Sequence, residues 1–163
     1  MIDTVQRETT ITLPSDREIV MQRVFNAPAR TLFEVWTNPE HVKKWYGVRS
    51  TTVTVCDIDL RVGGKWRWVV TKPQGMEIAF SGVFLEIDPP RRLQKTEVFE
   101  AMPGAECLVT LSFDEKDGQT TLTSNMLFKT KADRDVCLKS GMDLGVRECY
   151  QKIDEILETL RQS

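Results

Sequence analysis

The sequence predicts an α+β fold, a curled seven-stranded antiparallel sheet wrapped around one long C-terminal helix, with two short helices after the first strand. Three observations carry this. Residues 51–128 alternate apolar and polar with a period of two and are punctuated by Gly and Pro. Residues 28–45 carry aromatic and aliphatic side chains at helical spacing between prolines. Residues 133–161 contain no proline and repeat apolar positions at intervals of three and four.

Taken in order, residues 17–27 are rich in Val, Ile, Met and Phe and end at Ala27-Pro28, which suits a strand running into the first turn of a helix. Leu32, Phe33 and Trp36 share a helical face. Asn38-Pro39 then stops that helix and caps a second one reaching Trp45. Strands follow at 52–60, with a turn at Gly63-Gly64, then at 65–70 and 76–87. Asp88-Pro89-Pro90 ends the last of these because proline cannot continue a ladder. Three more are expected at 93–99, 107–113 and 120–128, the last two joined through Asp117-Gly118, a hairpin signal. The closing pattern, Leu138, Met142, Gly145, Cys149, Ile153, Ile156 and Leu160, reads as a single amphipathic helix.

A chain of 163 residues can bury one continuous core, and we read 17–163 as one domain after a polar N-terminal extension, 1–16. With 22 basic against 24 acidic residues, no basic footprint for nucleic acid or an anionic membrane surface is present. The first sixteen residues lack the apolar run of a signal peptide or span, so a cytoplasmic protein is expected, without stable membrane association. The four cysteines, Cys56, Cys107, Cys137 and Cys149, never form a C-x-x-C pair, and no metal or cofactor is expected. They read as small apolar residues.

A single helix laid on a curled sheet leaves space near the sheet's open end, an ordinary place for an apolar ligand. Candidate lining residues are Met21, Arg23 and Phe25 on the first strand, Trp66, Trp68 and Phe80 on the next hairpin, and Val109 and Leu111 further on. Met142, Gly145 and Tyr150 would face them from the helix. Trp66 and Trp68 share one sheet face, whose direction the sequence leaves open. Completing the core is the plainer role for either ring. Arg23 is flanked by apolar residues, so its burial would demand a partner: a ligand carboxylate, or Glu18, Asp57 or Glu97. Gly141 and Gly145, four apart, suggest that something approaches the helix closely, either the sheet or a ligand. The lone histidine, His41, is expected to face solvent.

Several of these stretches resemble one family. Arg23-Val24-Phe25-Asn26-Ala27-Pro28, Leu32-Phe33-Glu34-Val35-Trp36-Thr37-Asn38-Pro39, Trp45-Tyr46-Gly47 and Asp59-Leu60-Arg61-Val62-Gly63-Gly64-Lys65-Trp66 resemble successive motifs of the bacterial homologues of the Hsp90 ATPase activator C-terminal domain. That branch belongs to the START-like (SRPBCC) superfamily, and the resemblance, over roughly 17–161, implies a helix-grip fold. It departs where Gly145 is followed by Val146 instead of the tryptophan often found there. The resemblance implies a binder of a small hydrophobic or aromatic ligand, with a carrier, sensor or sequestration role, lipid binding and stress response among the family's associations. The alternative it leaves is a cofactor-free, cyclase- or aromatase-like enzyme on a polyketide-like or aromatic compound, using Asp59, Glu77, Glu97 or Tyr150 for proton transfer. A non-catalytic binder is preferred. Hsp90 itself is not expected as a partner, because the co-chaperone's chaperone-binding domain has no counterpart in these residues. Edge strands would permit a homodimer.

Overall fold

Eight strands, one more than the sequence predicts, form a single antiparallel sheet in the computed structural model, which describes residues 8–162. They are β1 (Thr10–Thr12), β2 (Glu18–Phe25), β3 (Thr52–Ile58), β4 (Lys65–Thr71), β5 (Glu77–Asp88), β6 (Arg92–Phe99), β7 (Cys107–Lys116) and β8 (Gln119–Phe128). The extra strand is β1, which lies in the expected polar extension and pairs with β2, Ile11 opposite Met21. Three residues with one apolar side chain are too few to show a period, so pattern reading passes over it. Residues 1–7 of that extension lie outside the described residues. The spatial order β1-β2-β8-β7-β6-β5-β4-β3 leaves β1 and β3 as edges, and the sheet is not closed.

The connections follow their local chemistry. Asp117 and Gly118, at φ 55° and 79°, make the tight turn between β7 and β8 that Asp-Gly favours. Helices α1 (Ala29–Thr37) and α2 (Pro39–Trp45) follow β2, as expected. Pro28 at the N-cap of α1 offers no side-chain cap. Glu115 of β7 supplies one instead, accepting from the Ala29 N–H at 2.9 Å. Asn38 caps α2 through the Glu40 N–H, 3.0 Å.

The C-terminal helix departs from expectation. It is two helices, α3 (Lys131–Lys139) and α4 (Met142–Gln162), broken at Ser140-Gly141, where Gly141 adopts φ +87°. Gly141 is therefore a helix terminator of the left-handed kind, and a side chain there would meet strain without any neighbour to clash with. Gly145 lies within α4, and a Cβ on it would meet only Val48, at an ordinary 3.8 Å. Neither glycine marks a close approach.

Along α4, Cys149, Tyr150, Ile153 and Leu157 are buried against the concave face of the sheet. On that face β2, β8 and β7 contribute Ile19, Phe25, Leu122, Leu111 and Phe113, each at most 2% exposed. Gly82 in β5 is needed for a different reason. A Cβ there would sit 1.8 Å from the Thr96 carbonyl oxygen and 2.8 Å from Trp66 Nε1, so glycine lets the Trp66 indole lie across the sheet and donate to Thr96 O at 3.1 Å.

Candidate functional site

Strand alternation on β4 turns both Trp66 and Trp68 inward, at 1% and 4% exposure, which settles the face that the sequence left open. Their neighbours across the sheet follow from register. Trp68 lies opposite Phe80, Trp66 opposite Gly82, and Phe84 opposite Lys95, which is itself opposite Val109. The period of two then puts Leu93, Lys95, Glu97 and Phe99 of β6 on this same inward face. Two charged residues thus point into the aromatic end of the grip.

Lys95 is buried, with its ammonium 3.9 Å from the Trp66 ring centroid and 4.3 Å from that of Trp68. Such contacts hold a cation against the negative faces of the rings, though they replace only part of its lost hydration. Among the described residues Lys95 makes no ion pair, and burial pulls its pKa down to about 8 against the pull of Glu97 in the other direction. Burial likewise raises Glu97, offset by the Lys95 charge, and no hydrogen bond from the described residues holds its carboxyl. The Glu97 charge is felt at Tyr46 after α2, at Cys107 on β7 and at Cys137 on α3, so it stands where these elements converge. Yet Glu97, Tyr46, Phe80, Cys137 and Met142 all keep part of their surface accessible. These inward residues are crowded by protein and yet still reach solvent, unlike the packed rows beside them.

The other polar groups here are neutral. Burial pushes the thiols of Cys56 and Cys137 up to about 11 and that of Cys107 higher still, so none is a thiolate nucleophile at neutral pH. Trp68 Nε1 is a buried donor without a partner among the described residues. Cys137 Sγ lies 3.8 Å from Met142 Sδ, joining α3 to the start of α4 over this space. Tyr46, which packs edge-on against Trp68 (4.8 Å) and Phe80 (6.4 Å), also borders a polar cleft of about 270 Å³ that includes Lys44, Arg49, Thr51 and Lys152. Two of that cleft's cations are committed: Arg49 to Glu155, and Lys152 to the Gly47 carbonyl.

Of the residues singled out from sequence, Trp66, Trp68, Phe80, Val109 and Met142 gather at this aromatic end of the sheet. Met21 and Leu111 belong to the packed rows of the sheet beside it, at 6% and 1% exposure. Arg23, Phe25 and Tyr150 group together instead around Asp154, joined to Trp68 through the rings of Trp36 and Trp45. The partner of Arg23 is Asp154 of α4, bound by two hydrogen bonds of 2.7 and 2.6 Å, and none of the three acids expected. Phe25 and Tyr150 meet edge-on at 5.4 Å. Gly145 faces Val48. His41 is half-buried, with Nδ1 enclosed and unpartnered, where solvent exposure was expected. Asp59 and Glu77 are exposed, which removes them as proton-transfer groups in an enclosed site. Lys95 was missed, although the alternation Leu93-Gln94-Lys95-Thr96-Glu97 carries the signal.

The family model described as Activator of Hsp90 ATPase homolog 1-like protein matches residues 26–158. Among solved structures, a protein of Rhodobacter sphaeroides is 29% identical, with a TM-score of 0.87, covering 94% of this chain and 99% of its own. Proteins of Nitrosomonas europaea and Mycobacterium smegmatis, each 23% identical with TM-scores of 0.82, cover 93% and 92% of this chain and 100% and 97% of theirs. These two show the fold alone. No curated protein matches the chain.

Proposed function

Since this chain belongs to the Activator of Hsp90 ATPase homolog 1-like family, we propose that it binds a small, largely apolar molecule between the sheet and its C-terminal helices. The observation that carries the reading is the pair Lys95 and Glu97, two ionisable groups aimed into an aromatic hollow with no ion pair between them and the described residues around them. A charge left in such a place opposes folding. It is retained where an occupant compensates for it. Trp66, Trp68, Phe80 and Met142 supply the apolar wall, and the charged pair fixes the polar end of the occupant. Carriage, sensing and sequestration are all compatible with this geometry, and none requires a catalytic group, a cofactor, Hsp90 or a second copy of the chain.

A second reading, a cofactor-free enzyme, draws on the same pair, because burial raises the carboxyl and lowers the amine, which brings the two closer together as acid and base toward a bound substrate. The experiment that separates occupancy from emptiness is native mass spectrometry of the freshly purified protein against its denatured mass. A discrete extra mass that departs on unfolding is expected. A clean mass, together with no thermal shift across a library of lipids and aromatic compounds, would overturn the binding reading.

A further inference from the structure

Two polar groups stand here without a hydrogen-bonding or ionic partner among the described residues, the Lys95 ammonium over the Trp66 and Trp68 faces and the indole N–H of Trp68, and both are donors. A surplus of donors calls for a group that only accepts, and one buried cation calls for one negative charge. We infer that the occupant is an amphipathic monocarboxylate, aromatic or alkyl, whose carboxylate meets the Lys95 ammonium. This deepens the binding reading above and rests on it.

The arrangement selects against other polar ends. A phosphate would bring up to two charges against a single ammonium. An alcohol or amide would leave the ammonium uncompensated. An ammonium-bearing ligand would place two cations together in a space of low polarity. The groups facing the pair from the surrounding elements do not alter this count. Tyr46, Cys56, Cys107 and Cys137 are all raised by burial and uncharged at neutral pH. Lys95 and Glu97 therefore set the charge of the site between them. A carboxylate beside Glu97 shares one proton with it, as two close carboxyls do, and Lys95 balances the remaining charge. The Trp66 and Trp68 faces that hold the ammonium also keep water from competing for it.

The test is isothermal titration of the full chain with two matched pairs: 1-naphthaleneacetate with 1-naphthaleneacetamide, and dodecanoate with dodecanol. At pH 7 at least one acid is expected to bind tenfold or more tighter than its neutral partner, about what a charge-assisted hydrogen bond contributes. That preference should fade above about pH 8, where Lys95 loses its proton. In Lys95→Met the ratio of acid to neutral affinity should fall toward one, with a melting curve confirming that the variant is folded. A neutral member that binds as well as its acid, or a preference that survives Lys95→Met, would overturn the inference while leaving the hollow as a ligand site. If no member of either pair bound, the ligand reading would fall with it.

Discussion

The grip holds two buried cations among aromatic rings, and the protein treats them in opposite ways. Arg23 of β2 lies 4.6 Å from the Phe25 ring and is clamped by both oxygens of Asp154. Lys95 of β6 lies over two indoles and has no such clamp among the described residues. At the Arg23 end the planar guanidinium matches a carboxylate in a fixed fork, and the surrounding Phe25, Leu122 and Tyr150 are closely packed. At the Lys95 end a point charge meets only the longer-range field of Glu97, beside residues that still reach solvent. One end is finished by the chain itself. At the other, the described residues supply no ionic partner for the cation.

The comparison can be broken hardest at the finished end. Replacing Asp154 by Ala leaves the Arg23 guanidinium without its fork, and a loss of roughly 3 kcal/mol is expected in urea unfolding. A loss below about 1 kcal/mol would mean that the two ends are equivalent. At the open end the effect is smaller and depends on pH. The ordinary lysine pKa of 10.5 holds in the unfolded chain, while the folded protein brings Lys95 down to about 8, so the unfolded state binds more protons between these values. Stability of the natural protein should therefore rise as pH goes from about 8 to 10, by on the order of 2 kcal/mol. In Lys95→Met that rise should vanish, which parallel unfolding curves at the two pH values would read directly. The smallest effect sharpens the contrast in packing. Gly145, near the start of α4, has room for a methyl group, and Gly145→Ala should stabilise by about 0.5 to 1 kcal/mol through helix propensity. A drop in melting temperature would show that this stretch is as tightly packed as the Arg23 end.

The sequence carried the framework and only part of the site. Seven strands and the first two helices stood out because half-buried strands alternate and because Pro28, Asn38 and Asp117-Gly118 mark their ends by known backbone chemistry. The eighth strand escaped because its pairing depends on the exposed flank of β2, a tertiary cause with no local pattern. The break at Gly141 is legible: lysine in the last turn, then serine and glycine, is a helix-ending sequence, and it competes with the expectation that Gly141 and Gly145 mark a close approach by the sheet or a ligand. The partnership of Arg23 with Asp154 spans 131 residues, and no periodicity reports on which acid a curled sheet brings to it. Lys95 was overlooked for an ordinary reason, since a lysine in a strand is usually placed outside, even where its neighbours two residues away are Leu93 and Glu97.

The Gly47 carbonyl ties α4 to the segment that carries Tyr46. It accepts the Lys152 ammonium at 2.6 Å and the Cys149 thiol at 3.6 Å, so two successive turns of α4 grip the residue next to Tyr46. Gly47 cannot easily yield, because its φ of +85° and the nearness of Thr51 and Val70 leave it little freedom to rearrange. In mechanical terms the carbonyl is a rivet, and Tyr46 and α4 move as one rigid jaw. By contrast α3, which buries only Arg134, is pinned through that side chain to the Ser15 carbonyl at 2.7 Å and turns into α4 at the left-handed Gly141, so it is tied to the rest of the protein by other means than α4.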